Sequence, residues 1–232
     1  MKVDISVIIP VLNEASRIND AVKNLYSQGY PGTMEIIVVD GRKDGSTIKC
    51  IQNPGVMKIC SAPGRGIQMN RGAEIASGEI LVFLHADTLL PENAFHLIQE
   101  VMKDKNVNSG AFDLSIDGKA FTYRIIEKAA SLRSRITGIP YGDQAIFIRK
   151  PFFFRIGKYR EIPIMEDVDL MRRIKKAKGR VCFIEKPVKT SSRRWEKEGI
   201  LQCILRNWLL MALYLCGITP GKLAKFYKHP SA

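Results

Sequence analysis

The chain has 232 residues and a net charge of +13, with 46% hydrophobic residues and no repeat or low-complexity segment. This length can bury the core of one large domain. The five cysteines lack CxxC spacing and mostly lie in apolar runs, which excludes a disulfide framework or a zinc site and predicts reduced core residues. The N-terminal residues lack the long apolar segment of a signal peptide, so we expect a cytoplasmic protein.

The charge is unevenly distributed. Residues 1–118 carry 11 Lys/Arg against 14 Asp/Glu, whereas residues 119–232 carry 25 against 9, so the halves have charges of −3 and +16. A basic half can attract nucleic acid, an anionic membrane surface or a phosphorylated substrate. Nucleic acid is disfavoured because the basic clusters at 172–173 and 175–176 have no interleaved aromatic residues.

The first half alternates strand and helix patterns. Apolar runs predict strands at 5–10, 35–40, 56–60 and 80–84, and helical spacing of apolar residues follows the first of them. Such β-α alternation with short connections predicts an α/β fold with a doubly wound, mostly parallel sheet and helices on both faces. The carboxyl ends of the strands would then meet at one edge, where ligands bind.

The second half is less regular. We predict strands at 110–116, 144–149 and 181–184, and helices at 120–136 and 165–177. Residues 200–218 are nearly all apolar apart from Gln202, Arg206 and Asn207. This pattern favours an amphipathic helix that packs on the domain or lies on a membrane surface, and a bitopic anchor is the alternative.

A buried-type strand runs directly into polar residues at its carboxyl end. Five apolar residues precede His85, Ala86 and Asp87, which places potential metal ligands where a parallel sheet binds its ligands. The alternative is that Asp87 only caps a helix beginning near Pro91.

Other polar residues are expected at the same edge. Asp40 ends the second strand, where a carboxylate can accept hydrogen bonds from a base or ribose, and Asn13 and Glu14 follow the first strand. Helix capping is the alternative for Asn13. Cations and an amide that suit a diphosphate arrive from the third crossover: Arg65, Asn70 and Arg71.

Two later clusters complete the set. Glu166, Asp167 and Asp169 open a helix that ends in basic residues; this order suits the helix dipole, but the adjoining apolar residues would also suit a general base. Arg193 and Arg194 precede Trp195, which combines phosphate-binding cations with a flat stacking surface.

Taken together, these segments resemble family 2 glycosyltransferases of the GT-A fold. SVIIPVLNE is similar to the family's opening strand and donor loop, and EIIVVDG to the strand whose aspartate contacts the base, here Asp40. FLHAD lies where the family has its DXD motif, MEDVDL resembles the motif of the catalytic base, and SSRRW resembles QxxRW. The HAD, GDQ and RRW pattern resembles a bacterial subgroup linked to arsenosugar biosynthesis. His85 and Ser191 depart from the usual DXD and QxxRW residues, and GRKDGS departs from the usual DGS.

The resemblance implies a metal-dependent inverting glycosyltransferase with Asp167 as the catalytic base. It implies a divalent metal, Mn²⁺ or Mg²⁺, on Asp87. His85 replaces the first aspartate of DXD, and as a second metal ligand its imidazole, which is softer than a carboxylate, would shift the preference from Mg²⁺ towards Mn²⁺. The nucleoside diphosphate sugar would contact Pro10, Asn13, Glu14, Asp40, Arg65, Asn70, Arg71 and Ala86. The acceptor or diphosphate side would hold Gly142, Asp143, Gln144, Glu166, Arg193, Arg194 and Trp195.

The expected organisation is a single domain over 1–232. Residues 1–118 would bind the donor, 119–198 would form the acceptor side, and 199–232 would form a C-terminal amphipathic extension. The acceptor is a hydroxyl compound, either lipid-linked or small and soluble, and peripheral contact with the inner membrane face is left open. A sugar-phosphate nucleotidyltransferase and a non-catalytic protein that binds polyanions or membranes are the alternatives.

Overall fold

Eight strands form one sheet in the computed structural model, which describes residues 3–227. Their bounds are β1 Ile5–Val11, β2 Met34–Asp40, β3 Val56–Cys60, β4 Ile80–Phe83, β5 Thr88–Leu89, β6 Val107–Asp117, β7 Phe147–Arg149 and β8 Arg180–Ser191. The strand order is β3-β2-β1-β4-β7-β6-β8-β5. Strands of both predicted halves thus share one sheet.

The first four strands of this order are mutually parallel, and β6 pairs with β8 in parallel. The short strands β7 and β5 run antiparallel to their neighbours. The predicted α/β class with a mostly parallel sheet is therefore confirmed. The predicted strand positions also agree closely in the first half, because fully buried parallel strands are continuous apolar runs and are easily recognised.

The α-helices of the described residues are α1 Ile18–Tyr26, α2 Arg65–Ile75, α3 Ala94–Lys103, α4 Phe121–Thr137, α5 Lys150–Arg155, α6 Glu166–Lys176, α7 Arg193–Glu198, α8 Ile200–Leu215 and α9 Pro220–Leu223. Helices α1 and α3 pack on one face of the sheet, and α2, α5 and α6 pack on the other. The prediction of helices on both faces is confirmed.

Three details differ from expectation. Strand β8 continues to Ser191 instead of ending at 184, and the following residues form the short helix α7. Helix α3 begins only at Ala94, with Asn93 in the capping position, so Asp87 is not its cap. All five cysteines are free, as predicted, but only Cys203 is buried, because most of the others lie on exposed turns and strand faces.

The C-terminal segment folds as predicted into a helix, α8, but few of its residues are buried. Only Cys203 and Leu210 of α8 have buried side chains. No helix within residues 3–227 has both the length and the apolar character needed to cross a bilayer. The division into donor, acceptor and C-terminal segments stays a prediction, and its residues 1, 2 and 228–232 lie outside the described part of the chain.

Gln68 on α2 ties together the ends of β1 and β2. Its amide donates hydrogen bonds of 2.8 Å to the carbonyls of Val11 and Val39, and its side chain is 2% exposed. These strands end in register, with Val11 opposite Asp40. Gln68 therefore fixes the edge of the sheet from which the two polar loops begin.

Replacing Gln68 with Leu should lower the free energy of unfolding by roughly 1–3 kcal/mol, because the buried carbonyls of Val11 and Val39 each lose a donor, although the N–H of Gly41 still donates to Val11. Urea denaturation monitored by circular dichroism would measure the change. Gln52→Leu alters an exposed glutamine and should change stability little. Equal stability of the Gln68 variant and the wild type would contradict this role.

Candidate active site

A polar cleft lies beyond the carboxyl ends of β4 and β8. Nine of the residues selected from the sequence line it: Arg65, His85, Asp87, Gly142, Asp143, Asp167, Arg193, Arg194 and Trp195. These residues come from five separate segments of the chain. The cleft therefore brings carboxylates, an imidazole, guanidinium groups and an indole into one site.

The pairing of β5 with β8 joins two of these segments. Thr88 pairs with Thr190, and the N–H of Ser191 donates a hydrogen bond of 3.1 Å to the carbonyl of Asp87. Asp87 is thereby held beside the beginning of α7, which carries Arg193 and Arg194. The carboxylate of Asp87 and the guanidinium groups of Arg193 and Arg194 therefore line the same cleft.

A buried ion pair joins the N-termini of α2 and α6. The guanidinium Nε of Arg65 lies 2.6 Å from a carboxylate oxygen of Glu166, whose side chain is 3% exposed. Burial disfavours charge on Arg65, but Glu166, together with Tyr227, Asp167 and Asp143, outweighs this effect and raises the arginine's pKa. Since Arg65 also lines the cleft, its charge is available to an anionic ligand there.

Two further contacts fix α2 to the segment that precedes α6. Asn70 exchanges hydrogen bonds of 2.9 and 3.0 Å with the backbone of Tyr159. A Cβ at Gly66 would lie 2.6 Å from the carbonyl oxygen of Arg160, so only glycine permits this close approach. Asn70 is buried by this contact and does not line the cleft in the described structure.

Asp167 is held at the start of α6 by two backbone donors. Its Oδ2 accepts a hydrogen bond of 2.7 Å from the N–H of Gly142, and its Oδ1 accepts one from the N–H of Val168. Each oxygen retains a lone pair for another donor. A Cβ at Gly142 would lie 3.0 Å from Nε2 of His85, so this glycine brings the imidazole and the carboxylate close together.

The turn at 142–144 is organised by Gln144, which is buried. Its side-chain oxygen accepts hydrogen bonds from the Ser134 hydroxyl and the Tyr141 N–H, and its amide donates to the Phe112 carbonyl. Gln144 thus positions the turn instead of lining the cleft. Tyr141, which does line it, stacks against the guanidinium of Arg133 at 3.4 Å.

Burial changes the protonation of two cleft residues. It lowers the pKa of His85 to about 4, and the positive charge of Arg65 adds to this effect, so the imidazole is neutral at pH 7. Burial raises the pKa of Asp143 to about 6, although Arg133 opposes the shift. The Oδ1 atom of Asp143 is buried and has no hydrogen-bond partner within residues 3–227.

The loops after β1 and β2 form a neighbouring unit. The buried Asp40 accepts hydrogen bonds from the N–H groups of Arg42, Thr47 and Ile48. Glu14 forms an ion pair of 3.0 Å with Arg193, which connects the first loop to the cleft. Asn13 accepts a hydrogen bond from Arg42 and does not cap α1, whose capping position holds Arg17.

The structure leaves three other selected residues away from the cleft lining. Pro10 lies in β1 opposite Val39 of β2, and Ala86 is buried in the core. Arg71 is exposed and forms an ion pair with Glu74. Conversely, Thr190, Asn207 and Tyr227 line the cleft and were not selected. Of these three, only Asn207 could have been found from the sequence, because it is a polar residue within a long apolar run.

The residues present suit a divalent metal that is shared with a diphosphate. No group of three or more His, Cys, Asp or Glu side chains within residues 3–227 could hold a metal by itself. Mg²⁺, however, is usually bound through one or two carboxylates together with substrate phosphates. Asp87 supplies such a carboxylate, and the neutral His85 supplies a nitrogen lone pair.

Comparison with known proteins agrees with this arrangement. Residues 6–187 match the family described as Glycosyl transferase family 2. An uncharacterized glycosyltransferase of Rickettsia bellii (strain RML369-C) is 26% identical over 227 residues, which cover 90% of this chain and 32% of that protein. The chain thus spans about a third of the length of the Rickettsia relatives that it matches.

Two solved structures are similar in fold. S. aureus TarS 1-349 in complex with UDP has a TM-score of 0.62 at 16% identity, covering 81% of this chain and 60% of that one. The mannosyltransferase PcManGT from Pyrobaculum calidifontis, in complex with GDP-Man and Mn²⁺, has a TM-score of 0.61 at 21% identity, covering 82% and 57%. The GT-A fold implied by the sequence resemblance is confirmed.

The raised pKa of Asp143 predicts a pH-dependent stability. Its protonated form is favoured in the fold, so its contribution is complete below about pH 4 and is lost as the pH rises through 6. Asp143→Asn should therefore increase the free energy of unfolding by on the order of 1–3 kcal/mol at pH 7–8, with little difference below pH 4.

Urea denaturation across pH 4–8 would test this expectation. The control, Asp117→Asn, alters an exposed carboxylate and should leave the pH profile unchanged. A variant that is less stable than the wild type at pH 8 would contradict the assigned pKa direction.

Proposed function

This chain belongs to glycosyl transferase family 2, and we propose that it transfers a sugar from a nucleoside diphosphate donor to an acceptor hydroxyl with inversion at the anomeric carbon. One observation carries the proposal: Asp87, Asp167 and the guanidinium groups of Arg65 and Arg194 line a single cleft. The reaction requires a base for the acceptor and positive charge for the departing diphosphate.

Asp167 acts as the general base in this proposal. The N–H of Gly142 fixes its carboxylate in orientation, and Asp167 lines the cleft. Asp167 removes the proton of the acceptor hydroxyl as the oxygen attacks the anomeric carbon from the face opposite the diphosphate. The new glycosidic bond forms while the bond to the diphosphate oxygen breaks.

Arg65 and Arg194 stabilise the charge that develops on the departing diphosphate. Arg65 is pre-oriented by Glu166, so little reorganisation is needed when the charge appears. Asp87 and His85 would hold Mn²⁺ or Mg²⁺ beside the same phosphates. The metal, when bound, supplies Lewis-acid stabilisation of the leaving group.

The donor nucleoside is assigned to the loops after β1 and β2. Pro10 lies near the end of β1, Asn13 and Glu14 follow that strand, and Asp40 ends the neighbouring β2. Because three loop N–H groups already bind the Asp40 carboxylate, we propose that it orders the loop as well as facing the base. The ion pair of Glu14 with Arg193 connects this region to the diphosphate side.

The acceptor is assigned to the side of the cleft formed by Trp195, Tyr141 and Asp143. Two aromatic rings beside polar groups suit a hydroxyl compound that has an apolar face. The nucleotidyltransferase and the purely binding alternatives have no support comparable to the family match over 6–187.

Replacing Asp167 with Asn should lower kcat by roughly 10²–10⁴-fold, the usual contribution of a general base. The dissociation constant of the donor, measured by calorimetry, should stay within about twofold, because the base acts only on the acceptor. Glu161→Gln changes an exposed acid close to the same helix and should leave kcat unaltered. An equal loss of donor affinity and turnover would remove Asp167 from this role.

A thermal-shift screen of nucleoside diphosphate sugars should identify one donor that stabilises the protein only with Mn²⁺ or Mg²⁺. At a hundredfold excess over its Kd, the donor should raise Tm by about 5–10 °C. Asp87→Asn should abolish the metal-dependent part, whereas Asp20→Asn, on the exposed face of α1, should retain it. A full shift in the presence of EDTA would contradict the metal requirement.

A further inference from the structure

Helix α8 is oriented with two of its three polar residues, Arg206 and Asn207, towards the protein, whereas Gln202 is exposed. Asn207 and Leu210 line the cleft, and Cys203 is buried beside α7. Arg206, the one charged residue of the helix, is turned inward and forms an ion pair with Glu198. The helix is therefore attached to the domain by the side that carries Cys203, Arg206, Asn207 and Leu210.

The opposite side of α8 is apolar and faces outward. This outer face consists of Leu201, Leu205, Trp208, Leu209 and Leu215, and Trp208 is 72% exposed. Soluble helices normally show the reverse pattern, with charged residues on the exposed side. A contiguous apolar surface of this kind marks a contact with another apolar phase or molecule.

The chain that follows α8 is basic. Between Cys216 and Tyr227 it has two lysines and no carboxylate. Lys222 and Lys225 are exposed, and α9, which carries Lys222, packs against Leu210 through the buried Leu223. Phe226, 69% exposed, adds an aromatic ring next to these lysines. Exposed apolar and aromatic residues, followed in the chain by exposed lysines, suit the surface of an anionic bilayer.

A second copy of the chain suits this face less well. Each copy carries a net charge of +13, so two copies repel each other. The exposed positions beside the apolar stripe are also uncharged, which leaves no complementary ion pairs to fix a helix–helix register. The same positive charge favours an anionic membrane.

We propose that the outer face of α8 docks the protein on an anionic phospholipid bilayer, with the helix lying in the plane of the surface. Because the opposite side of α8 lines the cleft, docking places the cleft beside the membrane. This surface does not depend on sugar transfer, so the proposal stands apart from the proposed reaction.

Flotation with vesicles tests the proposal directly. The wild type should float with phosphatidylcholine vesicles that contain phosphatidylglycerol, and at least tenfold less should float with phosphatidylcholine alone. Leu205→Glu combined with Leu209→Glu should lower the partition coefficient at least tenfold, because two charges enter the apolar face. Both positions are exposed, and an unchanged Tm would verify that the fold is intact.

The matched control is Ile125→Glu combined with Leu132→Glu on α4. It introduces the same charge at exposed apolar positions of another helix and should retain at least half of the wild-type binding. The proposal fails if the wild type does not float with anionic vesicles, or if the α8 variant floats as well as the wild type. It also fails if light scattering reveals a dimer that the α8 substitutions dissociate.

Discussion

The buried ion pair between Arg65 and Glu166 is the contact on which the site depends. It joins the N-termini of two helices on the same face of the sheet whose sequence positions are about a hundred residues apart. Burying the Glu166 carboxylate, whose side chain is 3% exposed, is costly, and the Arg65 guanidinium, 30% exposed, offsets that cost. Two neighbouring contacts hold α2 close to the segment before α6: the close approach of Gly66 to Arg160 and the hydrogen bonds of Asn70 with Tyr159.

This contact also sets the chemistry of the cleft. Glu166 balances the positive charge of Arg65. Because Glu166 directly precedes Asp167, its ion pair also positions the residue that is proposed as the base. On the other side, the pairing of β5 with β8 holds Asp87 against α7. Burial keeps His85 neutral and favours the protonated form of Asp143. The cleft thus contains acidic and basic side chains side by side, and neither positive nor negative charge dominates it.

Sequence reasoning was most successful where chemistry and strand pattern coincided. Asp87 follows an apolar strand and Asp167 opens an amphipathic helix, and the structure brings both to one cleft. It was least successful for polar residues whose partners are backbone groups. In the sequence, Gln144 and Asn70 resemble ligand-binding residues, and Gln68 has no distinctive pattern around it. In the structure, the side chains of all three form hydrogen bonds with backbone groups and hold turns and strand ends. No sequence pattern reveals the backbone atom that a distant amide will meet.

By itself, the sequence determined the α/β class, the family resemblance and most of the groups that can carry charge in the site. These features depend on local periodicity and on residue type, which are written directly in the chain. The tertiary structure decided which polar residues face the cleft, which side of α8 faces outward, and the pKa directions of His85 and Asp143. Those properties arise from burial and from contacts between distant segments, such as Arg65 with Glu166 and Glu14 with Arg193. They exist only once the chain has folded.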